Sequence, residues 1–302
     1  MLPWRRSPAP STRGAPTPLA PFAAESRAWC FAAASATGAG HLDGDLPCQD
    51  AFQTNFTQQR NPIERAKGTA PLLVTVADGA GSSAFGAAGA QMATSISFSI
   101  TSALLDQVNW ANAGAALEHV LLSAMWRTRL ALLAALDGAS RHTQRVLDHR
   151  LFHTTLQIVV AHHQWLGVAQ IGDGFVVAET DKSIVQLITP RREVEYANET
   201  EFITDQRLRH PTITIIEDAQ LSGFAVATDG LAQIALEYEG HIPCRPKAGF
   251  FSPLFDGVGS RTHDSARLMR ILRSPQMVQE CDDDLTLIVA TLPRGAASRI
   301  TT

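Results

Sequence analysis

The sequence lacks the features that would tie a chain to a membrane, a nucleic acid or a disulfide framework. No apolar run in its 302 residues is long enough to span a bilayer. The formal net charge is −4, so no general excess of basic residues draws it to nucleic acid or to an anionic membrane. Cysteine is sparse: Cys30, Cys48, Cys244 and Cys281 are too far apart in sequence to form a CxxC pair, which argues against a zinc knuckle. Nothing in their spacing suggests a disulfide framework, and a reducing cytoplasm is the simplest home. No internal repeat is visible. What remains is the composition of an ordinary globular core, 45% hydrophobic and 18% charged.

Both ends read as tails. Residues 1–26 are rich in Pro, Ser and Ala; the pair Arg5-Arg6 is not followed by the apolar stretch that a signal would need. Residues 294–302 form a second short tail, leaving 27–293 as one domain.

Within that domain, apolar runs predict strands near 29–38, 52–57, 72–77, 154–163, 165–180 (turning at Gly172–Gly174), 183–189, 222–230 and 285–292. A small-residue helix follows Gly86, with Ala88, Met92, Ile96 and Leu104 near a helical period. A second helix spans about 113–136 and ends at a polar break around Asp137 and Gly138. A third is expected at 263–274, with Asp264 near its start. Residues 190–220 are polar and poorly periodic, a candidate mobile flap. Strands outnumber helices and do not alternate with them. That predicts an α+β fold with largely antiparallel sheets, not a doubly wound parallel one.

The chemistry sits where strands meet aspartates. Asp78 follows "LLVTVA", Asp229 follows "FAVAT", and Asp283 and Asp284 immediately precede "LTLIVA"; Asp50 lies beside another strand. Strand ends of one sheet can lie close together, so these carboxylates can converge. Converging carboxylates repel unless protons or cations neutralise them. Oxygen ligands suit Mg²⁺ or Mn²⁺, and no histidine sits at helical or hairpin spacing beside them to favour zinc. The glycine after Asp78, Gly79, would let a backbone carbonyl reach such an ion. Ser82 and Ser83 lack a Ser-His-Asp arrangement, and no Lys follows the glycines at Walker spacing.

"GHLDGDLPCQDAF", "VADGAGSSAFGAAGAQMA", "QIGDGFVVA", "VATDGLAQI" and "DDDLTLIVA", in that order, resemble the PP2C-like (PPM) metal-dependent protein serine/threonine phosphatases, in their bacterial branch. The resemblance covers roughly 29–292. It implies a central β-sandwich flanked by helix pairs. It also implies hydrolysis of phosphoserine or phosphothreonine by water held between two Mg²⁺ or Mn²⁺ ions. By it, Asp78 is the bridging aspartate, Gly79 gives a carbonyl ligand, Asp229 and Asp283 are further metal ligands, and Asp50 helps hold metal-bound water. Asp173 matches a position that orders the core. The partners implied are a phosphoprotein substrate and a cognate serine/threonine kinase.

Some positions depart from the family pattern. Ala80 stands where many members have a histidine, and Gln49 where an acidic residue is common. His153 replaces a glycine, and Asp284 often corresponds to Asn. The nearest counterpart of the phosphate-binding Arg is His41, which cannot reproduce the guanidinium fork. These departures leave a second reading, a pseudophosphatase that binds a phosphoprotein or kinase without turnover. A third is hydrolysis of a small phosphate ester. The blander expectations are that Thr154 and Thr155 are strand residues, His162-His163 a surface pair and Asp282 a solvated neighbour.

Overall fold

A computed structural model describes residues 29–56, 71–180, 184–188, 200–206, 208, 210–260 and 264–292. The two tails expected at the chain ends lie outside these residues. Twelve strands are present among them: β1 (Cys30–Ala36), β2 (Ala51–Thr54), β3 (Leu72–Ala77), β4 (Leu156–His162), β5 (Trp165–Ile171), β6 (Phe175–Thr180), β7 (Ile184–Leu187), β8 (Thr212–Glu217), β9 (Leu221–Ala227), β10 (Leu236–Glu239), β11 (Ile242–Pro246) and β12 (Leu285–Thr291). One sheet runs β1-β12-β9-β6-β7 and the other β2-β3-β4-β5-β8, while β10 and β11 make a separate hairpin. Every pairing is antiparallel, as the sequence predicts. The helices are α1 (Ala39–Asp43), α2 (Gly86–Leu105), α3 (Gly114–Thr143), α4 (Ala232–Ala235), α5 (Ala248–Ser260), α6 (Ser265–Leu272) and α7 (Pro275–Glu280).

Three apolar layers explain why the strands read as unbroken hydrophobic runs. Leu72, Val74 and Val76 of β3 face Phe224, Val226 and Ile288 of the other sheet. Leu73 and Ala77 of the same strand turn the opposite way, toward α2, into a layer that holds Ala90, Ala93 and Phe98 of α2 and Leu117, Leu121 and Met125 of α3. On the far side, Ala32, Ala34 and Leu287 pack on Phe251 and Phe255 of α5 and on Leu268 of α6. Strands covered on both faces need no polar alternation. The result is an α-β-β-α sandwich, the α+β architecture expected.

Four expectations change. The second helix does not stop at Asp137–Gly138 but runs to Thr143, where Gln144 adopts a left-handed conformation (φ 54°). A glycine inside a helix costs only about 1 kcal/mol, which this long helix packed on a sheet absorbs. The 190–220 stretch contains edge strand β8, half buried on one side of the second sheet. Residues 200–206 within it are tied down by hydrogen bonds; 191–199 lie outside the described residues. His162 is buried and stacked on Trp110, with ring centroids 4.2 Å apart. Residues 232–260, for which no element is predicted, hold α4, the β10–β11 hairpin and α5.

Candidate metal centre and active site

The registers bring the aspartate-bearing strand ends to one rim. The start of β2 pairs with the end of β3 (Ala51 with Ala77), and the start of β4 with the end of β5 (Leu156 with Ile171). The start of β6 and the beginning of β12 both meet the end of β9, through Phe175 with Ala227 and Leu287 with Ala227. Asp50 precedes β2, Asp78 follows β3, Asp173 sits in the β5–β6 turn, Asp229 lies just past β9, and Asp282–Asp284 enter β12.

One carboxylate oxygen from each of Asp78, Asp173 and Asp229 lies within 4.8 Å of the others. Burial pushes Asp78 well above the ordinary carboxylate range, and Asp50, Asp229, Asp283 and Asp173 push it further. Burial, then Asp173 and Asp283, does the same to Asp229. Asp50 is also raised by burial, against hydrogen bonds from Thr286 and Thr228 that favour its charged form. Asp50 Oδ1 and Asp173 Oδ1 are buried and have no hydrogen-bond partner among the described residues. Orphaned, mutually repelling oxygens are what a hard divalent cation satisfies, so the residues present fit Mg²⁺ or Mn²⁺.

The backbone around Asp78 is clamped. Its N–H donates to Thr155 Oγ1 (2.9 Å), and its carbonyl accepts from Thr154 Oγ1 (2.8 Å) and from the Thr155 N–H (2.8 Å). Thr154 and Thr155 therefore position Asp78, a role the strand-residue reading missed. Gly79 is required by close packing: a Cβ there would lie 2.3 Å from the Gly86 carbonyl carbon. In the orientation its neighbours demand, the Gln49 amide nitrogen lies 2.8 Å from the Gly79 carbonyl oxygen.

The three consecutive aspartates divide their work. Asp282 is exposed, as expected, and its carbonyl accepts the Gly40 N–H of α1 (2.9 Å). The Asp283 side chain is exposed toward the acidic group and groups with His41 and Asp284. Asp284 is buried. Its Oδ1 accepts from the Gly38 N–H (2.8 Å) and its Oδ2 from the Gln49 N–H (2.5 Å), and His41 Nδ1 lies 3.0 Å from Oδ2. Its oxygens are committed to the protein, so it is a clamp rather than a ligand. The structure thus brings Asp50, Asp78 and Asp229 together, with Asp283 beside them. It adds Asp173, which the sequence assigns to ordering the core. The only signal for Asp173 was its place in a Gly-Asp-Gly turn.

The chain matches the protein phosphatase 2C family over residues 37–273. It is 32% identical over 270 residues to serine/threonine-protein phosphatase 3 of Escherichia coli (strain K12), covering 87% of this chain and 98% of that one. Among solved structures, serine-threonine phosphatase 2C from Toxoplasma gondii matches with a TM-score of 0.58 and 10% identity, over 88% of this chain and 95% of that one. Stp1 from Staphylococcus aureus matches with a TM-score of 0.53 and 13% identity, over 87% and 94%. The catalytic domain of PstP in complex with two manganese ions matches with a TM-score of 0.51 and 16% identity, over 88% and 99%. Fold, site and sequence agree: the chain belongs to the protein phosphatase 2C family, in its bacterial branch.

Proposed function

We propose that the chain is an active metal-dependent hydrolase of phosphoserine and phosphothreonine in proteins. The observation that carries this is the convergence of Asp78, Asp173 and Asp229, with Asp50 and Asp173 each presenting a buried oxygen that nothing among the described residues satisfies. Asp50, Asp78, the Gly79 carbonyl, Asp229 and Asp283 would hold the ions, with Asp173 facing the same space. The manganese pair in PstP supports Mn²⁺ as one of the two candidates, Mg²⁺ being the other. When bound, such ions lower the pKa of water and withdraw charge from phosphoryl oxygens.

The protein's own residues orient the ester. His41 Nδ1 faces Asp284, which leaves Nε2 on the side of the metal loop: a Cβ on Gly81 would lie 3.7 Å from it. His41 contacts the substrate phosphate through that nitrogen, in the part that Arg plays elsewhere in the family. Thr154 and Thr155 keep Asp78 from turning away. The substrate is a phosphoprotein, and a cognate serine/threonine kinase supplies it. The cysteines form no disulfide, which suits a reducing cytoplasm, and among the described residues no helix is long and apolar enough to cross a membrane. No observation favours the pseudophosphatase reading.

The test is turnover of a phosphothreonine peptide and of p-nitrophenyl phosphate in Mn²⁺, Mg²⁺ and EDTA, beside Asp229→Asn. Metal-dependent turnover that falls about 100-fold or more in Asp229→Asn is expected. Folded protein with no turnover in either metal overturns the proposal.

A further inference from the structure

The loop at residues 200–206 is fastened at both ends of the acidic cluster, and the fastening leads back to one side chain on an outer helix. Arg129 lies in α3, beside the buried Thr128. Its guanidinium donates to the backbone carbonyls of Ile203 and Asp205. Those carbonyls belong to a segment outside any helix or strand, so their donors must come from elsewhere in the protein. Arg129 meets two of them with one planar fork, an arrangement that lysine cannot copy.

From this anchor the loop reaches two aspartate-bearing turns. On one side, the Ile203 N–H donates to the Thr154 carbonyl (2.9 Å). Phe202 stacks on His153 with ring centroids 4.6 Å apart, and His153 Nε2 lies 3.2 Å from Asp205 Oδ1. Residues 153–155 are the ones that hold Asp78 and its turn, through both threonine hydroxyls and through the Ala80 N–H donating to the His153 carbonyl (3.0 Å). On the other side, Thr200 Oγ1 donates to Asp173 Oδ2. That bond holds Oδ2 of a carboxylate that belongs to the Asp78–Asp229 group and whose Oδ1 has no hydrogen-bond partner among the described residues. Ile203 and Thr204 are fully buried between these contacts.

We propose that Arg129 is a positioning residue for the metal centre: by holding the carbonyls of Ile203 and Asp205 it sets the 200–206 loop, and through Thr200 and residues 153–155 the loop sets Asp173 and Asp78. This rests on the metal-site reading above and deepens it. Arg129 touches neither ion nor substrate. Its effect is on how well the carboxylates are prearranged, and outer contacts of this kind change metal affinity by about 10- to 100-fold.

The experiment is calorimetric titration of Mn²⁺ into purified full-length wild type, Arg129→Met, Arg129→Lys and Thr200→Val, with melting temperatures in EDTA and phosphopeptide kinetics over a range of Mn²⁺. Arg129→Met is expected to raise the Mn²⁺ Kd about tenfold or more. Arg129→Lys should recover only part of this. Thr200→Val, which deletes one hydroxyl and leaves the anchor, should shift the Kd in the same direction. Activity should return in all three at high Mn²⁺. Variants that melt earlier yet bind Mn²⁺ as wild type does would overturn the proposal, leaving Arg129 a structural residue alone. If Arg129→Met does not fold, Thr200→Val decides: an unchanged Kd overturns the proposal. Wild type that binds no Mn²⁺ would instead overturn the metal-site reading on which it stands.

Discussion

Asp284 holds the backbone of Gly38, its Oδ1 accepting the N–H at 2.8 Å across 246 residues of sequence. With the Gln49 N–H on its other oxygen, this buried carboxylate joins the segment entering β12 to both ends of the α1 loop. Asp284→Ala leaves two buried backbone donors without acceptors, at about 1–3 kcal/mol each. Urea unfolding should show a loss of about 2–6 kcal/mol, with Asp284→Asn milder because one oxygen can still accept. A midpoint equal to wild type in the alanine variant would contradict the clamp.

His41 Nδ1 lies 3.0 Å from Oδ2 of this clamp, and His41 also groups with Asp283 at the edge of the carboxylates that would take the ions. His41→Ala should raise KM for a phosphothreonine peptide about tenfold, with a smaller change in kcat. The Mn²⁺ Kd should stay within about twofold of wild type. A shift in the Mn²⁺ Kd with KM unchanged would move His41 from the substrate to the metal.

Metal-free protein should be sensitive to alkali. Asp50, Asp78 and Asp229 have folded-state pKa values raised chiefly by burial, so the native state holds protons that the unfolded chain gives up. Their favourable contribution is therefore complete below about pH 4 and is lost as pH rises toward and beyond neutrality. In EDTA the unfolding free energy should fall between pH 5 and pH 8. Saturating Mn²⁺ should restore it at pH 8, and Asp78→Asn should flatten the slope. Equal stability at the two pH values in EDTA would show that the carboxylates are not under mutual strain.

Gly79→Ala tests close packing instead of charge. The added Cβ meets backbone of α2 at 2.3 Å, which no rotamer change relieves. Overpacking of this kind costs about 1–3 kcal/mol. Because the turn must shift, metal affinity should fall along with the denaturation midpoint. A variant as stable as wild type would show that α2 can slide.

The aspartate-bearing strand ends were legible because their strands are covered on both faces. Runs such as Leu72–Ala77 and Leu285–Thr291 are buried throughout and broken only by threonines, and an aspartate adjoins the end of the first and the start of the second. Asp173 was not legible, since only the register of β5 against β4 and of β6 against β9 carries its turn to the shared rim. β8 was hidden because an edge strand exposed on one side mixes Thr and Glu among its isoleucines. Among Asp282, Asp283 and Asp284, sequence could not tell which is solvated, which faces the site and which is buried; the donors from Gly38 and Gln49 decide that. Arg129 left no local signal, because its partners lie more than 70 residues away.

The centre is shared between the two halves of the sandwich. Asp50 and Asp78 come from the β2–β3 side, Asp229 and Asp283 from the β9–β12 side, and Asp173 from the turn that crosses between them. Neither sheet alone carries all of these carboxylates, so affinity for an ion would be a property of the assembled native state and would vanish if the sheets parted. A bound ion would act as a rivet through the seam. At a hundredfold excess over Kd it would add about 2.7 kcal/mol to global stability, tying the protein's lifetime against unfolding to metal supply.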